Sequence, residues 1–183
     1  MCIRDSHEEE LSVREAELSM ERRLGSPAES VLAVQGNLSN TYQALGRPEE
    51  ALSLRRDVYS GWLKLMGEEN SNTILAATNY AVALAFYQKG FKQAKSVLRK
   101  TLPVARRVLG ESHELTLRTR WIYADVLYEN PAAMLDDVRE AVTTLEELER
   151  TARRVMGGAH PLARDIESTL QNAREALAAR DEA

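Results

Sequence analysis

An apolar pair followed by Gly recurs along this chain at Leu65-Met66-Gly67, Val108-Leu109-Gly110 and Val155-Met156-Gly157. Arg23-Leu24-Gly25 is a variant with a basic first residue. The Gly-to-Gly spacings are 42, 43 and 47 residues. A period in this range is the mark of stacked helical pairs, each unable to bury its apolar face alone. Apolar residues are 44% of the 183-residue chain, enough for a continuous core, and aromatics only 5%.

Between the repeated Gly residues the punctuation is helical. His7 to Leu24 carries Val13, Ala16, Met20 and Leu24 at i, i+3, i+7 and i+11, which predicts one buried apolar stripe. Gly25 and Ser26-Pro27 separate it from a helix over about 28–45. Gly46-Arg47-Pro48 then breaks the chain before a helix over 48–66, with Pro tolerated in the first turn. Asn70 or Ser71 can cap the next helix, about 72–89. After Gly90, residues 91–109 form its partner, with Ala94, Leu98, Thr101, Ala105 and Val108 on one face. Pro103 lies inside that helix, and a kink near Arg99 to Pro103 is expected. Helices over 113–129, 136–156 and 162–180 complete the series, the longer break at Asn130-Pro131 explaining the 47-residue spacing. Met1 to Ser6 has no periodic pattern and is expected to be disordered.

The linker Gly residues align the copies internally. Thirteen residues after each stand Leu38, Tyr80, Tyr123 and Leu170; sixteen after stand Thr41, Ala83, Val126 and Ala173. A large apolar position and a mostly small one, three apart, share one helical face in every copy. Each buried large side chain contributes about 1.5–3 kcal/mol.

The unit resembles the tetratricopeptide repeat of the kinesin light chain type. The resemblance rests on the turns Gly46-Arg47-Pro48-Glu49-Glu50-Ala51 and Gly90-Phe91-Lys92-Gln93-Ala94. It rests also on the helix motifs Asn37-Leu38, Asn79-Tyr80-Ala81 and Tyr123-Ala124, and on the linkers Leu109-Gly110-Glu111-Ser112-His113 and Met156-Gly157-Gly158-Ala159-His160-Pro161. Pro48 replaces the usual turn aromatic, and the third pair lacks a turn Gly. The resemblance covers about residues 8–180. It implies an all-α, right-handed superhelical solenoid of antiparallel helix pairs, with about three and a half repeats in a single domain over 7–183. The unpaired first helix predicts a fragment of a longer array with residues 1–6 appended. It also predicts a monomer, or weak self-association through this half-repeat.

By that resemblance the chain is expected to be a non-catalytic, cytoplasmic scaffold holding a peptide or protein segment in a concave groove. The alternative is a regulatory or targeting module of a larger enzyme or signalling protein. Asn37 and Asn79, with Asn40 one turn on, are the implied contacts to an extended peptide backbone; equally, they can be solvated helix residues. Arg118 and Arg120 lie on the corresponding helix of the third copy, where Ile122 interrupts the Asn series.

Charge gives a second candidate. The formal net charge is -4, which argues against general nucleic-acid binding. Yet residues 70–110 hold no Asp or Glu and seven Lys or Arg. Of these, Lys92, Lys95, Arg99 and Arg106 fall on one helical face. Such a stripe either attracts an acidic partner or is paired with acids of the next repeat, such as Asp136, Asp137, Glu140, Glu146 and Glu147.

Nothing in the sequence points to catalysis, a cofactor, a metal or a membrane span. His7, His113 and His160 form no cluster; the latter two are equivalent linker residues. Asp136-Asp137 opens a helix, where carboxylates favour the positive dipole end. Cys2 is the single cysteine, so neither an intrachain disulfide nor a Cys-based metal site can form among these residues, in keeping with a reducing compartment. If the basic stripe holds the partner, binding of an acidic peptide weakens as salt rises from about 0.05 to 0.5 M. Salt-independent binding in a fluorescence titration rules the stripe out.

Overall fold

The computed structural model describes residues 3–181, with side chains from residue 8 onward. Among the described residues, eight α-helices run in chain order: α1 Ile3–Leu24, α2 Ala28–Ala44, α3 Pro48–Met66, α4 Ser71–Gln88, α5 Phe91–Leu109, α6 Glu114–Tyr128, α7 Leu135–Met156 and α8 Pro161–Asp181. The fold class is all-α, built from helices joined by short turns, as the repeat pattern predicts. They divide into two compact units, residues 1–88 and 89–183.

The helix ends follow from local chemistry. At Gly67 and Gly110 the backbone turns with φ of 76° and 91°, a region costly for any residue with a Cβ. The next helix starts with a side-chain cap. Asn70 Oδ1 accepts from the Asn72 amide at 2.8 Å, His113 Nδ1 from Leu115 at 3.1 Å and His160 Nδ1 from Leu162 at 3.2 Å. The equivalent linker histidines are thus helix caps, each accepting on its unprotonated ring nitrogen. Helix α5 passes unbroken through Pro103. Helix α1 starts at Ile3, earlier than expected, since no Gly or Pro stands between Ile3 and His7. Residues 1–2 of the segment expected to be disordered lie outside the described residues.

In the first unit each helix packs on the next. One cluster joins Leu18 of α1 to Val34 and Leu38 of α2, flanked by Leu11, Val31, Tyr42 and Leu54. A second joins Leu32, Val58, Trp62 and Ala76, with Tyr59 beside it. Tyr59 stacks on Tyr80 with centroids 6.0 Å apart. Helices α2 and α3 approach so closely that a Cβ on Gly61 would lie 2.4 Å from Leu32 Cδ2.

Helix α1 corrects the sequence reading. Its buried residue is Leu18, while Val13, Ala16, Met20 and Leu24 face solvent, Val13 being 65% and Leu24 71% exposed. The helix turns toward α2 the face whose leucines complete the Val34–Leu38 cluster. No described helix packs over the other stripe. The repeat-aligned positions fare better: all are buried except Tyr80, which is half-buried.

The second unit has its own core. Leu98, Leu117, Val138, Leu145, Leu148 and Ile166 are fully buried. On α5 the buried face is Ala94, Leu98, Thr101, Val104 and Ala105; Val108, expected there, is 41% exposed. Asp125 on α6 sits beside Tyr128 and Glu129. Burial, with the Glu129 charge, raises its carboxyl to about 6 from an ordinary 3.8, against a hydrogen bond to Tyr128 that lowers it. Burial also drives the Tyr128 phenol upward.

Two predictions concern this packing. Leu98→Ala costs about 2–5 kcal/mol in urea unfolding, while Met20→Glu on the exposed α1 stripe changes stability by less than about 0.5 kcal/mol. Because the folded pKa of Asp125 lies above its unfolded value, its contribution is fully present below about pH 4 and is lost as pH rises through 6. Asp125→Asn is therefore more stable than the parent at pH 7, by about 1–3 kcal/mol, and the difference closes by about pH 4. Equal stability at both pH values contradicts the assignment.

Candidate groove of the first unit

Helices α2, α3 and α4 enclose a concave groove of about 260 Å³ within the first unit. The 3.6-residue period sets its walls. Leu32, Ala33, Gly36, Asn37 and Asn40 share a face of α2, and Asn72, Leu75, Ala76 and Asn79 share a face of α4. Between them Arg55, Val58 and Trp62, spaced three and four apart on α3, form the floor.

Asn37, Asn40 and Asn79, expected from the sequence as peptide contacts, thus line one groove. The side-chain amides of Asn37 and Asn79 form no hydrogen bond among the described residues. Each carries an acceptor and an NH2 donor, the complement of a peptide unit's N–H and C=O. Asn40 is held differently. Its Oδ1 accepts from Arg55 Nη2 at 3.1 Å, and the same guanidinium nitrogen donates to Gln43 Oε1. That bond leaves the Asn40 NH2 group to donate elsewhere. Arg55 is 7% exposed and is the single charged residue of the lining.

Gly36 stands mid-helix with the groove before it; a Cβ there would meet nothing within 4 Å. Its carbonyl also accepts from Ser39 Oγ at 2.7 Å. Asn72, Arg55 and Gly36 do not stand out in the sequence as groove residues. They come together only when three helices are packed side by side, although the spacing of Asn72, Ala76 and Asn79 on one face is visible once α4 is placed.

The remaining candidates lie in the second unit. Arg120 is buried: Nη2 donates to Glu147 at 2.9 Å and Nη1 to Glu111 at 3.4 Å. Its guanidinium is thereby engaged within the fold, whereas Arg118, two residues before it, is exposed. Three of the four basic residues of the stripe have partners on α6, α7 or the linker between α5 and α6. Lys95 pairs with Asp137 at 2.5 Å. Arg99 Nε donates to Tyr123 Oη at 3.1 Å, and that hydroxyl donates to Glu140 at 2.9 Å. Burial raises the Tyr123 phenol, so it stays a neutral donor in this chain. Arg106 pairs with Glu111 at 3.3 Å, and Lys92 is exposed. Trp121 Nε1 donates to Thr169 Oγ1 at 2.9 Å, which ties α6 to α8.

Among the described residues no group of His, Cys, Asp and Glu could hold a metal ion. No described helix is long and apolar enough to cross a membrane.

Comparison with known proteins agrees with this architecture. Residues 30–104 match the tetratricopeptide repeat family. These residues include the Asn37 and Asn79 motifs and both turns. Among solved structures, the nearly identical TPR-like repeats named for a putative kinesin light chain of Podosopora anserina superpose with a TM-score of 0.76 at 22% identity. The alignment covers 96% of this chain and 81% of that one. A second crystal structure of those repeats, carrying one substitution, gives 0.78 at 21% identity over the same shares. BtubC (BKLC) of P. vanneervenii gives 0.65 at 14% identity, over 96% of this chain and 75% of that one. No curated protein sequence matches the chain. Tetratricopeptide arrays are protein–protein interaction scaffolds that present concave surfaces. Among the described residues, eight helices run in the expected order and share the fold of solved kinesin light chain-like TPR repeats, and residues 30–104 match the tetratricopeptide repeat family.

Proposed function

We propose that the chain is a non-catalytic scaffold whose first unit binds an extended peptide segment along the α2–α4 groove. The observation that carries this reading is the convergence of Asn37 and Asn79, both without an internal hydrogen-bond partner among the described residues, on opposite walls of one concavity. An extended peptide presents alternating C=O and N–H groups, and the paired amides can satisfy both. Leu75, Val58 and Trp62 add apolar surface for side chains of the segment. Arg55 supplies the only formal charge in the lining, which favours a neutral or acidic segment over a basic one.

The basic stripe of α5 is a weaker basis for an acidic partner, because Lys95, Arg99 and Arg106 already have partners. A cytoplasmic setting is consistent with the single cysteine.

The test uses a display library of random peptides, about twelve residues long, selected on the purified chain. Selected peptides are expected to be poor in Lys and Arg, and to lose affinity at least about tenfold on Asn37→Ala combined with Asn79→Ala, in fluorescence anisotropy. Arg118→Ala, in the second unit, leaves affinity unchanged. Peptides indifferent to the double Asn change would move the binding site away from this groove.

A further inference from the structure

Gly36 is a groove residue whose identity the fold itself does not explain. A Gly in a helix interior is less favourable than Ala by about 0.8–1.0 kcal/mol. Three structural reasons can justify one, and none applies here. Its backbone is helical rather than left-handed, so no special φ is required. No neighbouring helix occupies the space a side chain would take, since an added Cβ would find nothing within 4 Å. Gly61, by contrast, is explained by Leu32 at 2.4 Å. Nor does the repeat demand Gly: eleven residues after the linker Gly, the other copies carry Thr78, Trp121 and Ser168.

What Gly36 does face is the open groove, next to Asn37 and one turn before Asn40. Ala33 precedes it by one turn on the same face, and Ala76 lies on the facing wall. The wall is therefore lowest at Gly36, with bare helix backbone flanked by amides that bond peptide groups. We infer that Gly36 is a specificity position: the bound segment crosses α2 at Gly36, in van der Waals contact with the helix backbone, and a side chain there would exclude it. Close approach of a foreign backbone is one of the few uses of a Gly that costs helix stability. The inference rests on the groove being the peptide site, and it adds where along α2 the peptide passes.

The prediction has two parts of opposite sign. Gly36→Ala raises the melting temperature by about 2–4 °C, because a better helix former enters empty space. The same substitution weakens the library-selected peptides severalfold, and Gly36→Leu weakens them at least about tenfold, with circular dichroism unchanged. Both parts are measured on the full 183-residue chain, beside the Asn37→Ala, Asn79→Ala double variant. Loss on the Asn variant with full affinity retained by Gly36→Ala and Gly36→Leu overturns the crossing point and leaves the groove standing. Affinity unaffected by any of these changes, or a selection that yields no binder, overturns the groove as well. A fall in melting temperature on Gly36→Ala would show that Gly36 serves the fold, and the inference fails.

Discussion

The structure depends on how closely neighbouring helices approach. Side chains at the crossings set that distance, and the chain keeps them at a methyl group or less. Ala51 and Ala141 are wholly buried, each near the start of the second helix of a pair. Gly61 carries the principle further, with Leu32 occupying the space its Cβ would need. Close approach lets large residues such as Leu38, Tyr123 and Leu170 interdigitate on the repeat-aligned face. It also fixes the α2–α4 separation across α3, and hence the width of the groove.

Much of this was legible from the residues. Apart from α1, the described helices start and stop within a residue or two of expectation, because Gly, Pro, Asn and His mark their ends chemically. The facing of α1 was not legible. It carries two apolar stripes, Leu11–Leu18 and Val13–Leu24, and periodicity finds both without saying which meets a neighbour. On α5, Val108 shares the apolar period but lies beyond the reach of the core, and Val104 fills the position instead. Spacing along one helix reports a face; only a neighbouring helix gives that face an inside.

The candidate residues divide in the same way. Asn37 and Asn79 can be grouped by repeat register alone, since equivalent positions of adjacent repeats point the same way, and Asn40 joins them one helical turn on from Asn37. Arg55 cannot, because its role depends on reaching Asn40 and Gln43 across an interhelix gap. The charges of α5 lie in a stretch without acids, and the sequence leaves both a free and a paired stripe open; Lys95 and Arg99 find partners on α6 and α7, up to 42 residues later, and Arg106 finds Glu111 in the following linker. Arg120 reads as a ligand contact and is a buried clamp between Glu111 and Glu147. Long-range pairing is invisible to local composition, and it decides whether a basic surface is available.

The third turn of α2 is weakened twice. Gly36 carries the conformational freedom of a residue without a side chain, and its carbonyl divides its acceptor capacity between the helix ladder and the Ser39 hydroxyl. Both effects lower the free energy needed to open that turn locally. The wall of the groove that bears Asn37 and Asn40 is thus the breathing part of an otherwise continuous helix. The amide of Asn40, which the Gly36 carbonyl would hold, should exchange its hydrogen with solvent earlier than amides near Leu32 or Leu38. A segment lying across that wall would suppress this opening, so occupancy could be followed through protection of the backbone even where the ligand contributes no signal of its own.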